Sequence, residues 1–273
     1  MNFRPNPWLS CLMILLGGLS APSAGAPPAA PFTAGEVLKF EVRWRSPLWL
    51  FFIPTISAGT TTFEAQKVPE LLPGKELWRL TARAESSSTL SSLTGMKVDD
   101  YFESWMDPQE LCSYRIFKKI REGKRRRDVE VTFDRESGCM RLVEMDAGAS
   151  PPKKIRELET GGLPSCVQDI LSIFYSSRFL TLEAGRTYTF TVSDNGRTRD
   201  IEAEVEKEEI VETPIGSMPA WRVRTRAVFG GLFREGGELL LWFHKERHYP
   251  VRFDAKVKLG RILGRITSYA PQP

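Results

Sequence analysis

The stretch Gly35-Glu36-Val37-Leu38-Lys39-Phe40-Glu41-Val42-Arg43-Trp44 decides how the rest of the chain is read. Leu38, Phe40, Val42 and Trp44 fall on one side of it, and Lys39, Glu41 and Arg43 on the other. A period of two, with one apolar and one charged side, is what a strand with a single wet face selects. The run Ala58-Gly59-Thr60-Thr61-Thr62-Phe63, continuing to Val68, is rich in Thr and suits a returning strand. The connection between them is too apolar for an ordinary turn, since Trp49, Leu50, Phe51 and Phe52 stand between Pro47 and Pro54. Those four side chains need an apolar partner. They are expected to bind ligand at the mouth of a cavity or to touch a membrane surface; the alternative is a plug folded into the protein's own interior.

Working outward, most of the later chain alternates in the same way. Strands are expected over 76–84, 97–106, 111–120, 124–133 and 139–145, and again over 187–192, 198–205, 220–229, 238–244, 250–259 and 261–267. Asp194-Asn195-Gly196 is a strong hairpin signal. One helix is expected over 165–178. Ser165 and Gln168 form a capping box there, and Val167, Ile170, Leu171 and Phe174 share a face. The fold class read from this pattern is all-β: a single antiparallel barrel-like or strongly curled meander sheet of about twelve strands, with one short helix laid across it.

The chain has 273 residues, 41% hydrophobic and 26% charged, which suits a globular domain with a sizeable core. Its N-terminus has the layout of a secretory signal peptide: Arg4, an apolar run over 8–19, then small residues ending at Ala24-Gly25-Ala26. The run is shorter than the roughly 20 residues that span a bilayer. The expected organisation is a signal peptide over 1–26, a flexible leader over 27–33, a single β domain over 34–268 and a short tail. The location that follows is the periplasm or the periphery of the outer membrane. The mature part keeps Cys112, Cys139 and Cys166. Cys112 and Cys139 fall on strands placed close together and are the candidate disulfide; three small buried apolar residues are the alternative.

No motif points to catalysis or to a cofactor. His244 and His248 are the only histidines, and their spacing would converge two imidazoles on a helix but not on a strand running into a turn. No nucleophile elbow, phosphate-binding glycine loop or metalloprotease pattern is present. The strongest charge run is Lys118, Lys119, Arg121, Lys124, Arg125, Arg126 and Arg127. Its functional reading is an anionic partner, either lipid headgroups or an acidic polysaccharide; its bland reading is a solvated hairpin tip. Nucleic acid is disfavoured by the export signal and by a net charge of only +4.

Taken in order, several segments resemble the exported bacterial proteins grouped as domain of unknown function 3108. They are Gly35 to Val42, Ala58-Gly59, Asp100-Tyr101-Phe102-Glu103-Ser104 and Val131-Thr132-Phe133-Asp134. Asp169-Ile170-Leu171-Ser172, Pro214-Ile215-Gly216, and Trp242 followed by Tyr249-Pro250-Val251 complete the set. The resemblance implies a single barrel-like β domain of the cell envelope, with no established activity and no catalytic motif to carry over. The chain departs from it in the aromatic insertion over 47–54 and in the basic stretch Phe243-His244-Lys245-Glu246-Arg247-His248. The function expected from all this is a non-enzymatic envelope protein that binds an amphiphile or assists lipid or polysaccharide transport. A structural or interaction protein is the alternative, and a hydrolase of cell-surface polymer comes third. If the N-terminal reading is right, sequencing of protein recovered from an envelope fraction starts near Pro27; a retained Met1 in the cytoplasm contradicts it.

Overall fold

The computed structural model describes residues 31–45, 55–72, 75–228, 237–257 and 260–270. Eight strands come first: β1 (Glu36–Arg45), β2 (Thr55–Leu72), β3 (Lys75–Ser86), β4 (Asp99–Met106), β5 (Ser113–Glu122), β6 (Arg125–Asp134), β7 (Cys139–Asp146) and β8 (Lys153–Thr160). Six follow: β9 (Thr187–Asp194), β10 (Arg197–Thr213), β11 (Gly216–Val228), β12 (Gly237–His244), β13 (Pro250–Lys256) and β14 (Arg261–Ala270). Two short helices are α1 (Ser88–Thr94) and α2 (Ser172–Ser176), the latter running into a 3-10 turn at Ser177–Phe179.

All fourteen strands belong to one sheet, in the order β8-β7-β6-β5-β4-β3-β2-β1-β14-β13-β12-β11-β10-β9. Two meanders run outward from the middle and are joined there by antiparallel pairing of β1 with β14. Residues 161–186 carry the chain from one end of the sheet to the other. The opening stretch is therefore central, as its alternation implied: Leu38 and Phe40 are fully buried, with Lys39 between them exposed. β1 pairs with β2 in a register that sets Val42 against Gly59. Close approach explains one glycine on this side. A Cβ at Gly264 would lie 2.0 Å from the ring of Phe253, its cross-strand neighbour.

The expected barrel-like or strongly curled meander is corrected to an open sheet of fourteen strands. Its ends, β8 and β9, form no ladder with each other. The hairpin tip after β9, at Asn195-Gly196, rests on Leu158 of β8, and Arg156 donates to the Asn195 carbonyl. β8 is a charged strand, exposed except at Leu158, and it has little apolar surface to bury in a closing seam. The count of one helix is corrected too. α1 has Ser87 as its cap, accepting the Leu90 amide, and ends at Gly95 in the left-handed region.

Residues 165–178 are not one helix. Gln168 instead forms a parallel bridge with Val192 of β9, and Cys166 is tied by a disulfide to Cys112. The candidate pair Cys112–Cys139 is therefore corrected to Cys112–Cys166, with Cα atoms 5.1 Å apart, and Cys139 is an exposed free thiol. The apolar residues of the expected stripe are nonetheless inward. Residues 163–182 feed all four apolar clusters: Val167 packs against Ile116, Val131 and Leu142, and Leu171 and Tyr175 against Trp78, Leu80 and Met106. Phe174 reaches the cluster of Leu38, Phe40 and Ile266, and Leu182 that of Val205, Val223 and Phe243. The crossing segment is the second layer of the domain.

The disulfide closes a span of 54 residues from Cys112, just before β5, to the crossing segment. Replacing Cys112 and Cys166 together with Ser is expected to lower unfolding stability by about 2–4 kcal/mol in chemical denaturation. Cys139→Ser is expected to shift it by less than about 0.5 kcal/mol.

Candidate functional site

The covered face of the sheet holds three buried polar nodes, and each binds a strand to another element. In the first, the Asp169 carboxylate accepts hydrogen bonds from the hydroxyls of Ser104 on β4 and Ser113 on β5, and from the amides of Leu171 and Ser172. In the second, Arg178, fully buried, makes a two-pronged ion pair with Glu36 and donates to the carbonyl of Pro31. Phe32 stacks edge-on against Trp78, Tyr175 and Phe179 beside that guanidinium. His248 donates its Nδ1–H to the Arg178 carbonyl at 2.9 Å. In the third, Lys118 of β5 pairs with Asp194 at the end of β9, both nearly out of solvent.

Burial pushes the Asp169 carboxyl above its ordinary range, against the serine hydrogen bonds that favour its charged form. Burial also raises the Tyr175 hydroxyl, with the Glu36 charge acting in the same direction. No imidazole lies beside the Ser104 or Ser113 hydroxyls in these contacts, so the nodes read as anchors for the crossing segment.

The sequence-selected cations are not brought together. Lys118 faces inward, because alternation along β5 sets it beside Ile116 on the covered side. Arg121 is held by Asp128, Arg125 by Glu122, and Arg127 by Glu144 and Asp146. Lys119, Lys124 and Arg126 stay exposed, with no carboxylate partner among the described residues. Trp49, Leu50, Phe51 and Phe52 lie outside the described residues. His244 stacks on Tyr249, which stacks on Tyr269. Among the described residues, no three His, Cys, Asp or Glu side chains are grouped to hold a metal, and no helix is long and apolar enough to cross a membrane.

On the opposite, solvent-facing side lies an arrangement that the charge run concealed. β4 presents Tyr101, Glu103 and Trp105 outward; β5 presents Arg115, Phe117 and Lys119, directly opposite them. The guanidinium of Arg115 sits 4.2 Å from the Trp105 ring centre and 5.9 Å from that of Phe117. The Lys119 ammonium lies 5.8 Å from Phe117 and 6.0 Å from Tyr101. Rings and cations thus alternate Trp105, Arg115, Phe117, Lys119, Tyr101 across two strands. From Trp105 to Tyr101 the stripe spans about 13 Å at strand rise. On the Trp105 rank, across β6 to β8, lies an open depression of about 310 Å³ bordered by Thr132, Arg141 and Glu159. The signal for the stripe was present in the sequence as two short runs of period two: Tyr101 and Trp105 alternate with the acidic Asp99 and Glu103 on β4, and β5 has a basic or aromatic residue at each outward position from Arg115 to Arg121.

The chain belongs to the family described as "Protein of unknown function (DUF3108)", whose profile matches residues 39–267. By fold it is similar to a β-barrel-like protein of domain of unknown function DUF1849 from Brucella abortus, with TM-score 0.57 and 12% identity over 89% of this chain and 99% of that one. A protein with a YmcC-like fold from Bacteroides fragilis aligns with TM-score 0.34 and 10% identity, over 88% of this chain and 97% of that one. No curated protein matches. The chain is thus a β-rich protein of a family of unknown function, similar in fold to the Brucella protein. The expectation of lipid binding is corrected. It rested on analogy with β-shells that hold apolar ligands and on Trp49, Leu50, Phe51 and Phe52, whereas the sheet is open and the crossing segment packs on its apolar face.

Because folded Asp169 keeps its proton to higher pH than the unfolded chain does, its contribution is most favourable in acid. It declines as pH rises from the unfolded carboxylate range through the raised value. Asp169→Asn is expected to flatten that decline in denaturation curves recorded between pH 4 and 7. Asp169→Ala, which strands two hydroxyls and two amides, is expected to cost at least about 3 kcal/mol.

Proposed function

We propose that the protein is a non-enzymatic module of the cell envelope that holds an anionic polysaccharide on the outward stripe of β4 and β5 and on the basic tip of the β5–β6 hairpin. The observation that carries this reading is the alternation of Trp105, Arg115, Phe117, Lys119 and Tyr101 on an open, solvent-facing surface. Pyranose rings carry apolar C–H faces that pack on aromatic rings, and guanidinium and ammonium groups pair with their carboxylates or sulfates. The unpartnered Lys124 and Arg126 extend the positive end of the stripe toward the hairpin tip. The disulfide and the N-terminal layout support an oxidising compartment outside the cytoplasm.

The bland account is that cation–π pairs across two strands stabilise the sheet, at about 0.5–1 kcal/mol each on an exposed surface. Binding separates the two. Calorimetry with polygalacturonate is expected to show association that weakens with salt. It should weaken at least tenfold further in Lys119→Glu with Arg126→Glu. Trp105→Ala with Phe117→Ser is expected to reduce binding of the acidic polysaccharide but leave that of polyphosphate, which has charge but no sugar rings. Absence of binding, or binding indifferent to all four changes, contradicts the proposal.

A further inference from the structure

The two ends of the sheet are treated differently. β9 gives part of its outer side to residues 167–168: Gln168 donates its amide to Thr191 and accepts that of Ser193. β8 has no strand beyond it among the described residues. All of it except Leu158 is exposed, and Ile155 stands 45% exposed on it. The β7–β8 register skips Ile155, so that side chain has no residue opposite it on β7. An edge without a strand beyond it offers a row of amide and carbonyl groups to any passing strand, and proteins commonly guard such edges with charged side chains, lysine above all, or with bulges.

The charges on β8 are not of one sign. Lys153, Lys154 and Arg156 fill its first half, and Glu157 and Glu159 its second. A second copy turned antiparallel about a two-fold axis near Arg156 lays Lys153 and Lys154 of each strand along Glu157 and Glu159 of the other, with the two Arg156 side chains facing each other at the axis. A guard of one sign would repel a copy; this one matches it. We propose that β8 is a self-association edge, through which two copies of the chain pair as an isologous dimer and continue one sheet into the other. The Ile155 side chains are covered at that seam. Within one chain Glu157 already pairs with Lys154 and Arg141, so pairing between copies exchanges ionic contacts rather than adding them. A seam one strand long is also small, and the expected dissociation constant is on the order of micromolar.

Sedimentation velocity on the mature chain over a concentration series tests this. Wild type is expected to show a reversible dimer. Lys153→Glu with Lys154→Glu makes the strand mostly acidic, and Glu157→Lys with Glu159→Lys makes it wholly basic. Each variant alone should lose at least tenfold in dimer affinity, while an equimolar mixture of the two should associate at least as well as wild type. Ile155→Pro should leave only monomer with unchanged far-UV circular dichroism. Folding of every variant is checked by the same spectrum. A monomeric wild type, a dimer indifferent to these changes, or a failure of the two charge variants to associate on mixing overturns the proposal.

Discussion

Asp169 and Arg178 fix residues 163–182 against the sheet, and the arrangement of everything else depends on that attachment. Each reaches several partners, in different directions. Asp169 gathers β4 and β5 through two serines and its own segment through two amides. Arg178 gathers β1 through Glu36 and the incoming chain through Pro31. Removing one partner from a buried ion pair of this kind typically costs about 3–5 kcal/mol, because the other charge is left without water or counterion. Between these anchors the apolar residues of the segment meet all four clusters, so the sheet gains a second layer without a large helix.

That arrangement also explains why a sheet of fourteen strands stays open. The chain leaves one end at β8, crosses the covered face and enters the other end at β9, so the two ends are joined through the crossing segment instead of a ladder. The wet side is then free to carry function. Its rings and cations are held by strands whose inward residues are buried, so the stripe rests on a rigid base. The surface proposed for binding lies on that side.

The central strand pair was legible because its alternation is strict and its outward side is charged. The hairpin at Asn195-Gly196 was legible because glycine there adopts positive φ, as such a turn requires. β8 was not read, since Lys153-Lys154-Ile155-Arg156-Glu157 has no apolar alternation to announce a strand. α1 has no apolar stripe to announce it, although Ser87 and Gly95 mark its two ends. The helix over 165–178 failed for a tertiary reason: its apolar positions are buried, but Cys166 and Gln168 are claimed by β5 and β9 before a helix can form. At the candidate site, the run of basic residues drew attention as a block, while strand geometry sends Lys118 inward and leaves Lys119 with the aromatic rings. Glu36 and Arg178 could not have been paired from sequence, because nothing local links them.

Native-state hydrogen exchange tests the central claim, that the crossing segment belongs to the core and is not a lid. The amides to follow are those of Gln168, Leu171, Ser172, Ile173 and Tyr175, all hydrogen-bonded within or through the segment. If the buried anchors hold it as described, these amides exchange only with global unfolding, at the same free energy as amides of β1 and β2. Exchange several kcal/mol below that level, with the central strands still protected, would mean that the segment opens by itself and would contradict the account.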